Sequence, residues 1–155
     1  MKVVKLSEIK EKFGIEPLAP DFTLVNFSKV LVKSGKPIKT LLMDQEKIAG
    51  IGNIYANESL FAAKINPFRK AKSLSPDEIK QLYVSMICII DTAIKFKGSS
   101  GKDEWYRQID GSIGHYQEHF LVYQREKEKC RVCGGMIKRE KQGGRSTYFC
   151  PKCQR

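Results

Sequence analysis

The clearest chemistry in the sequence lies in four cysteines near its C-terminal end. They read Cys130-Arg131-Val132-Cys133, then 16 intervening residues, then Cys150-Pro151-Lys152-Cys153. Each pair places two sulfurs on one tight knuckle, and two knuckles complete the tetrahedral four-sulfur set that Zn2+ accepts. Zinc held by four thiolates keeps no open position for water, so it is structural and not catalytic. Two disulfides are the alternative. They are disfavoured because the chain starts Met1-Lys2-Val3-Val4-Lys5, with no apolar signal core, and a cytoplasmic, reducing location is the expectation. A redox role for either pair would call for a βαβ pattern, and none surrounds them.

Two other patterns could do chemistry. Ile48-Ala49-Gly50-Ile51-Gly52-Asn53-Ile54-Tyr55 places two glycine turns just before a run of helical character. Such turns expose backbone N–H groups, and the helix start adds positive potential, which together suit a phosphate. Asn53 can cap that helix or donate its amide to the anion. A corner that only packs two helices is the equal alternative. His115-Tyr116-Gln117-Glu118-His119 spells HxxEH, a pattern in which two histidines hold zinc and the glutamate acts as base. Five-residue patterns recur by chance, and surface polar residues are the plain reading.

The elements that position these residues are mainly helical. Ser75-Pro76-Asp77-Glu78 has the form of a helix start, with Ser at the N-cap, Pro at N1 and Glu at N3. The apolar series Ile79, Leu82, Tyr83, Met86, Ile87, Ile90, Ala93, Ile94 then predicts a helix over 76–97, stopped by Gly98. Leu6, Ile9 and Phe13 predict a short helix ended by Gly14. Asp21 is placed to cap a second helix carrying Leu24, Phe27, Val30 and Leu31, and Pro37 to open a third with Leu41 and Leu42. Between the cysteine pairs, residues 136–139 and 146–149 flank Gln142-Gly143-Gly144 and read as a β-hairpin. About 30 residues bury too little to fold alone, so metal must supply much of that module's stability. Cys88 falls in an apolar helical run and reads as core.

Length and charge agree with a helical body and a basic satellite. The chain has 155 residues and a formal net charge of +11. Residues 1–39 hold 8 basic and 4 acidic side chains, 40–123 hold 10 of each, and 124–155 hold 10 against 3. A basic zinc hairpin attracts phosphate, with counterion release driving association. No run of about 18 apolar residues occurs, so no membrane-spanning helix is expected.

Two blocks carry a family resemblance. Leu42-Met43-Asp44-Gln45, Ala49 to Ala56 with Gly50, Gly52 and Asn53, and Glu58-Ser59-Leu60-Phe61 resemble the helix–two-turn–helix signature of formamidopyrimidine-DNA glycosylases. Val122-Tyr123, the cysteine pairs, Gly144-Arg145-Ser146-Thr147 and Gln154 resemble their C-terminal zinc finger. The resemblance runs from Phe13-Gly14-Ile15-Glu16-Pro17-Leu18 to Arg155. It implies a mainly α fold: a helical bundle with a helix–two-turn–helix motif over 1–123, with 98–114 as a mobile loop or equally a plain linker, and a four-cysteine β-hairpin zinc finger over 124–155. It implies one structural zinc on Cys130, Cys133, Cys150 and Cys153. It implies DNA contacts through Lys39, Gly50, Gly52, Asn53 and Arg145, with double-stranded, lesion-containing DNA as partner. The family excises oxidised purines and cleaves the resulting abasic site in base excision repair. Its nucleophile is an N-terminal proline amine followed by glutamate, whereas the first proline here is Pro17. The expectation is therefore a DNA-holding half without the catalytic domain, inactive alone. A DNA-binding subunit of a split glycosylase and a non-catalytic zinc-dependent nucleic-acid-binding protein are the alternatives.

Overall fold

The structure is a computed structural model that describes residues 13–99 and 114–155. The helix expected before Gly14 and nearly all of the 98–114 loop lie outside the described residues. The described residues form α1 (Leu24–Val32), α2 (Ile38–Leu42), α3 (Asn53–Ala62), a 3-10 turn (Ala71–Ser73), α4 (Pro76–Lys95), a second 3-10 turn (Tyr116–His119), and strands β1 (Lys138–Gln142) and β2 (Arg145–Phe149). Among them no helix is long and apolar enough to cross a membrane.

The longest helix starts where its sequence requires. The Glu78 N–H donates to Ser75 Oγ at 3.2 Å, and the Ser75 N–H donates to Glu78 Oε2 at 2.8 Å. This reciprocal pair satisfies two donors that a helix start otherwise leaves open. The helix ends at Lys95, two residues short of the expected end, and the Gly98 N–H closes on the Ala93 carbonyl at 2.7 Å. The cap of α1 differs from expectation. Thr23, not Asp21, accepts from the Asn26 N–H, because the first helical residue is Leu24 and only the hydroxyl at position 23 reaches that donor.

The inner faces of α1, α2 and α4 close over Phe27, Leu31, Ile38, Leu42, Leu82 and Met86. Helix α3 is enclosed beyond its first turn, with Ala56 through Phe61 all buried. Its Leu60 belongs to the helical core, whereas Phe61 packs with Val122, Ile137 and Tyr148 beneath the hairpin. One helix therefore serves two apolar clusters. A segment that periodicity did not reveal also reaches the glycine turns. The Ile15 N–H donates to the Lys47 carbonyl and the Ala49 N–H to the Ile15 carbonyl, so extended backbone at Ile15 pairs alongside Ile48.

Candidate metal centre and phosphate-binding elements

Strands β1 and β2 pair antiparallel, with Lys138 opposite Phe149 and Gln142 opposite Arg145. The two residues between them, Gly143 and Gly144, have φ of 56° and 75°. Two successive positive φ values match the twist of a two-residue hairpin turn, and side chains resist that conformation. The hairpin ends bring the two cysteine pairs together. All four Sγ atoms lie within 4.8 Å of one another, with Cys133 to Cys150 at 3.4 Å and Cys130 to Cys153 at 3.8 Å. A zinc ion with four Zn–S bonds of about 2.3 Å requires sulfurs about 3.8 Å apart. The cluster fits one structural Zn2+.

One local bond favours a thiolate at Cys133. The Gly135 N–H donates to Cys133 Sγ at 3.4 Å, and this bond is the main cause that holds the Cys133 thiol down at about 7. Burial pushes the Cys150 and Cys153 thiols up instead. Four thiolates at these separations repel, and a divalent cation among them removes the repulsion. HxxEH forms no such centre. His115 Nδ1 lies 3.1 Å from Glu118 Oε1, with both side chains exposed, and the His119 ring lies tilted against Phe96, with ring centroids 3.9 Å apart. Among the described residues the four cysteines are the one His/Cys/Asp/Glu group placed for a metal.

The glycine turns lead into α3 with Gly52 as N-cap and Asn53 as first helical residue. Helix geometry leaves the N–H groups of Gly52 and Asn53 without intrahelical acceptors. Gly50, at φ 81°, makes a left-handed turn, and its N–H is already given to Gln45 Oε1 at 2.8 Å. Gln45 also donates to the Ile51 carbonyl at 2.9 Å. Gly50 thus shapes the turn, and its amide is engaged within the protein.

Lys39 is turned into the protein. The residue is 1% exposed, and its ammonium donates to the Ser146 carbonyl at 2.9 Å and to Thr147 Oγ1 at 2.8 Å. Burial, then the nearby Arg145 charge, lowers its pKa to about 8. Helix α2 faces the hairpin at this point, so the side chain is covered by β2 and supports it from below. Arg145 begins β2 and is exposed. A cleft of about 240 Å³ lies between Lys39, Thr40, Met43 and the hairpin residues Gln142, Gly143 and Arg145.

Three polar side chains to which the sequence assigned no role fix the zinc module and the strap before it to the helical body. Asn57 Oδ1 accepts from the Tyr148 N–H at 2.8 Å, and Asn57 Nδ2 donates back to the Asn53 carbonyl at 2.6 Å. The Glu58 carboxylate accepts from the N–H groups of Leu121, Val122 and Tyr123 at 2.8, 3.0 and 2.8 Å. Burial pushes that carboxyl up, and the three donors with Arg125 oppose the shift. Gln154 accepts from the Cys150 N–H at 2.9 Å and donates to the Ile65 carbonyl at 2.9 Å. Asn57, Glu58 and Gln154 carry no periodic signal, because each is polar and interior.

Comparison with known proteins decides the family. Residues 13–104 match the formamidopyrimidine-DNA glycosylase H2TH domain. The chain belongs to that family. Residues 127–155 match the zinc finger found in FPG and IleRS. The formamidopyrimidine-DNA glycosylase of Heliobacterium modesticaldum is 45% identical over 146 residues, covering 94% of this chain and 52% of its own length. That of Thermus thermophilus is 43% identical, with 92% and 54% covered. The crystal structure of MutM (Fpg) from Thermus thermophilus superposes with a TM-score of 0.88 at 43% identity over 92% of this chain and 54% of that one. Lactococcus lactis Fpg in complex with abasic-site DNA gives 0.85 at 41% identity over 96% and 54%. The chain thus spans about half the length of the glycosylases it matches. It is a DNA-repair glycosylase family member with a four-cysteine zinc finger and an H2TH element.

Proposed function

We propose that these 155 residues are the DNA-holding portion of a formamidopyrimidine-DNA glycosylase, with residues 1–123 and 124–155 as the two arms of one grip on lesion-containing duplex. One observation carries this reading. Asn57 bonds to Asn53 at the phosphate-suited helix start and to Tyr148 on the strand that begins with Arg145. Two anion-suited elements are thereby held at a set spacing. In this reading the Gly52 and Asn53 amides and the Arg145 guanidinium contact phosphates. Gly50 shapes the turn, and Lys39 acts through Ser146 and Thr147. The solved complexes of the Lactococcus lactis protein with abasic-site and Fapy-dG DNA support the choice of ligand. A cytoplasmic location suits four cysteines that serve as thiolate ligands.

Arg145→Ala is expected to weaken duplex binding about tenfold and to lower the slope of log affinity against log salt by about one. Fluorescence anisotropy across a salt series reads both quantities. An unchanged slope would remove Arg145 from the phosphate contacts.

The chemical step, removal of oxidised purines and strand cleavage, belongs in this reading to the half of the relatives' length that these residues do not span. The chain alone is expected to bind an 8-oxoguanine duplex without excising the base. Incubation with labelled duplex and borohydride should leave no covalent protein–DNA band. A trapped band from these 155 residues would overturn the division of labour. Equal affinity for lesion and undamaged duplex would favour a non-catalytic nucleic-acid-binding protein.

A further inference from the structure

Among the described residues Arg145 has no hydrogen-bond or ion-pair partner. Its place is therefore set by the backbone that carries it. That backbone follows a turn of two glycines, which has little conformational preference of its own. A lone two-stranded hairpin is also marginal in water. The zinc cluster lies at the other end of the strands, five residues away at about 3.3 Å each, and gives the tip little support. A contact with the helical body has to fix it.

Gln142 supplies that contact. It is the last residue of β1 and stands opposite Arg145. Paired residues, and residues two apart on a strand, share a face of the sheet, so Gln142, Arg145 and Thr147 face the same way. Gln142 and Arg145 line the cleft against Lys39, Thr40 and Met43 of the helical body. The half-buried Gln142 amide is engaged at both ends. Its Nε2 donates to the Pro67 carbonyl at 3.1 Å, and its Oε1 accepts from Thr147 Oγ1 at 3.3 Å. Thr147 Oγ1 in turn accepts from the Lys39 ammonium at 2.8 Å. An ammonium only donates and a carbonyl only accepts, so the chain Lys39–Thr147–Gln142–Pro67 runs in one direction alone. Its far end is anchored. Pro67 is buried, its carbonyl also accepts from the Lys39 N–H at 3.4 Å, and the Arg69 carbonyl accepts from the Ile38 N–H at 2.7 Å. Next to it, Phe68 meets Phe149 of β2 edge-on, with ring centroids 5.5 Å apart.

We propose that Gln142 is a positioning residue for Arg145: its amide clamps the hairpin tip to the Pro67 carbonyl and holds the guanidinium at a set spacing from the start of α3. The inference rests on the reading of Arg145 as a phosphate contact. Gln142 acts through Arg145 and not on DNA, since its oxygen and one of its N–H groups are engaged within the protein. Without the clamp, the tip has to be ordered anew at each binding event, and that cost falls on affinity.

The test is a double-mutant cycle on the full zinc-loaded chain, with duplex affinity and its salt slope read by fluorescence anisotropy for wild type, Gln142→Met, Arg145→Ala and the double variant. Methionine keeps the length of the side chain and removes both hydrogen bonds. Gln142→Met is expected to weaken binding about three- to tenfold and to lower the salt slope, with the absorption bands of the cobalt-loaded protein unchanged. In the Arg145→Ala background the same substitution should change affinity less than about 1.5-fold. Thr147→Val cuts the chain at its other joint and should also weaken binding, whereas Thr147→Ser keeps the hydroxyl and should bind as wild type does. Equal losses from Gln142→Met with and without Arg145 overturn the proposal, because the amide would then act independently of the guanidinium. An effect of Arg145→Ala with none from Gln142→Met also overturns it and leaves the Arg145 contact standing. No effect of Arg145→Ala removes both.

Discussion

Removal of zinc, by chelation or by Cys150→Ser, is expected to unfold the hairpin and to cost the chain most of its affinity for DNA. The apolar cluster beneath the hairpin is small: Phe61, Val122, Ile137 and Tyr148 with two of the ligand cysteines. Structural zinc contributes on the order of 10–16 kcal/mol to modules of this type, far more than that cluster can replace. Without the metal, four crowded sulfurs at 3.4–3.8 Å along the closest pairs repel or oxidise. Arg145 and the basic excess of residues 124–155 are then no longer presented on a folded surface. The loss of affinity should exceed about tenfold, equivalent to at least ~1.4 kcal/mol. The core of α1, α2 and α4 does not depend on the cysteines, so the helical signal in circular dichroism should persist in large part. Cobalt substitution gives an independent readout, since a tetrahedral thiolate site colours the ion and Cys150→Ser should weaken those bands. Retention of full DNA affinity after chelation would show that the hairpin does not take part in binding.

Glu58→Ala is expected to be the most destabilising single substitution in the helical body. The side chain is 0% exposed and satisfies three successive backbone N–H groups. Truncation leaves the buried Val122 donor and the partly buried Leu121 and Tyr123 donors unpaired, each worth about 1–3 kcal/mol, and partial water entry brings the expected total to ~3–5 kcal/mol. For a chain of this size that lowers the melting temperature by roughly 10 °C or more. Glu58→Gln separates hydrogen bonding from packing. Oε1 serves Val122 and Tyr123, whereas Oε2 serves Leu121 alone. An amide can keep the Oε1 pair and lose one bond, so Gln should cost about 1–2 kcal/mol. Urea denaturation of the zinc-loaded protein measures the ranking wild type, Gln, Ala. A loss below ~1 kcal/mol for Ala would show that Leu121–Tyr123 finds other acceptors.

Asn57 and Glu58 are neighbours on α3, and they tie different segments to it. Asn57 holds β2, and Glu58 holds the strap that precedes the first cysteine knuckle. Destabilisation at Glu58 should therefore reach the zinc module as well as the helices. The melting temperature of Glu58→Ala should consequently depend on zinc concentration more steeply than that of wild type, by linkage of metal binding to folding.

The features legible in the sequence are those written in local chemistry. The cysteine spacing specified a tetrahedral site because each knuckle is formed by four consecutive residues. Ser75-Pro76-Asp77-Glu78 specified a helix start because its donors and acceptors lie three residues apart. Gly143-Gly144 specified the hairpin turn because positive φ excludes most other residues there. Tertiary structure alone decided the rest. Lys39 reads as an exposed cation in sequence, and it is buried because Ser146 and Thr147, more than a hundred residues away, supply its acceptors. Asn57 and Glu58 look like ordinary polar helix residues. They became internal because α3 is enclosed by α4 on one side and the hairpin on the other, and their partners at Tyr148 and Leu121–Tyr123 are set by packing that no local pattern encodes. A buried polar group is tolerable only where distant backbone meets it, so its identity shows in sequence while its purpose appears only in the folded chain.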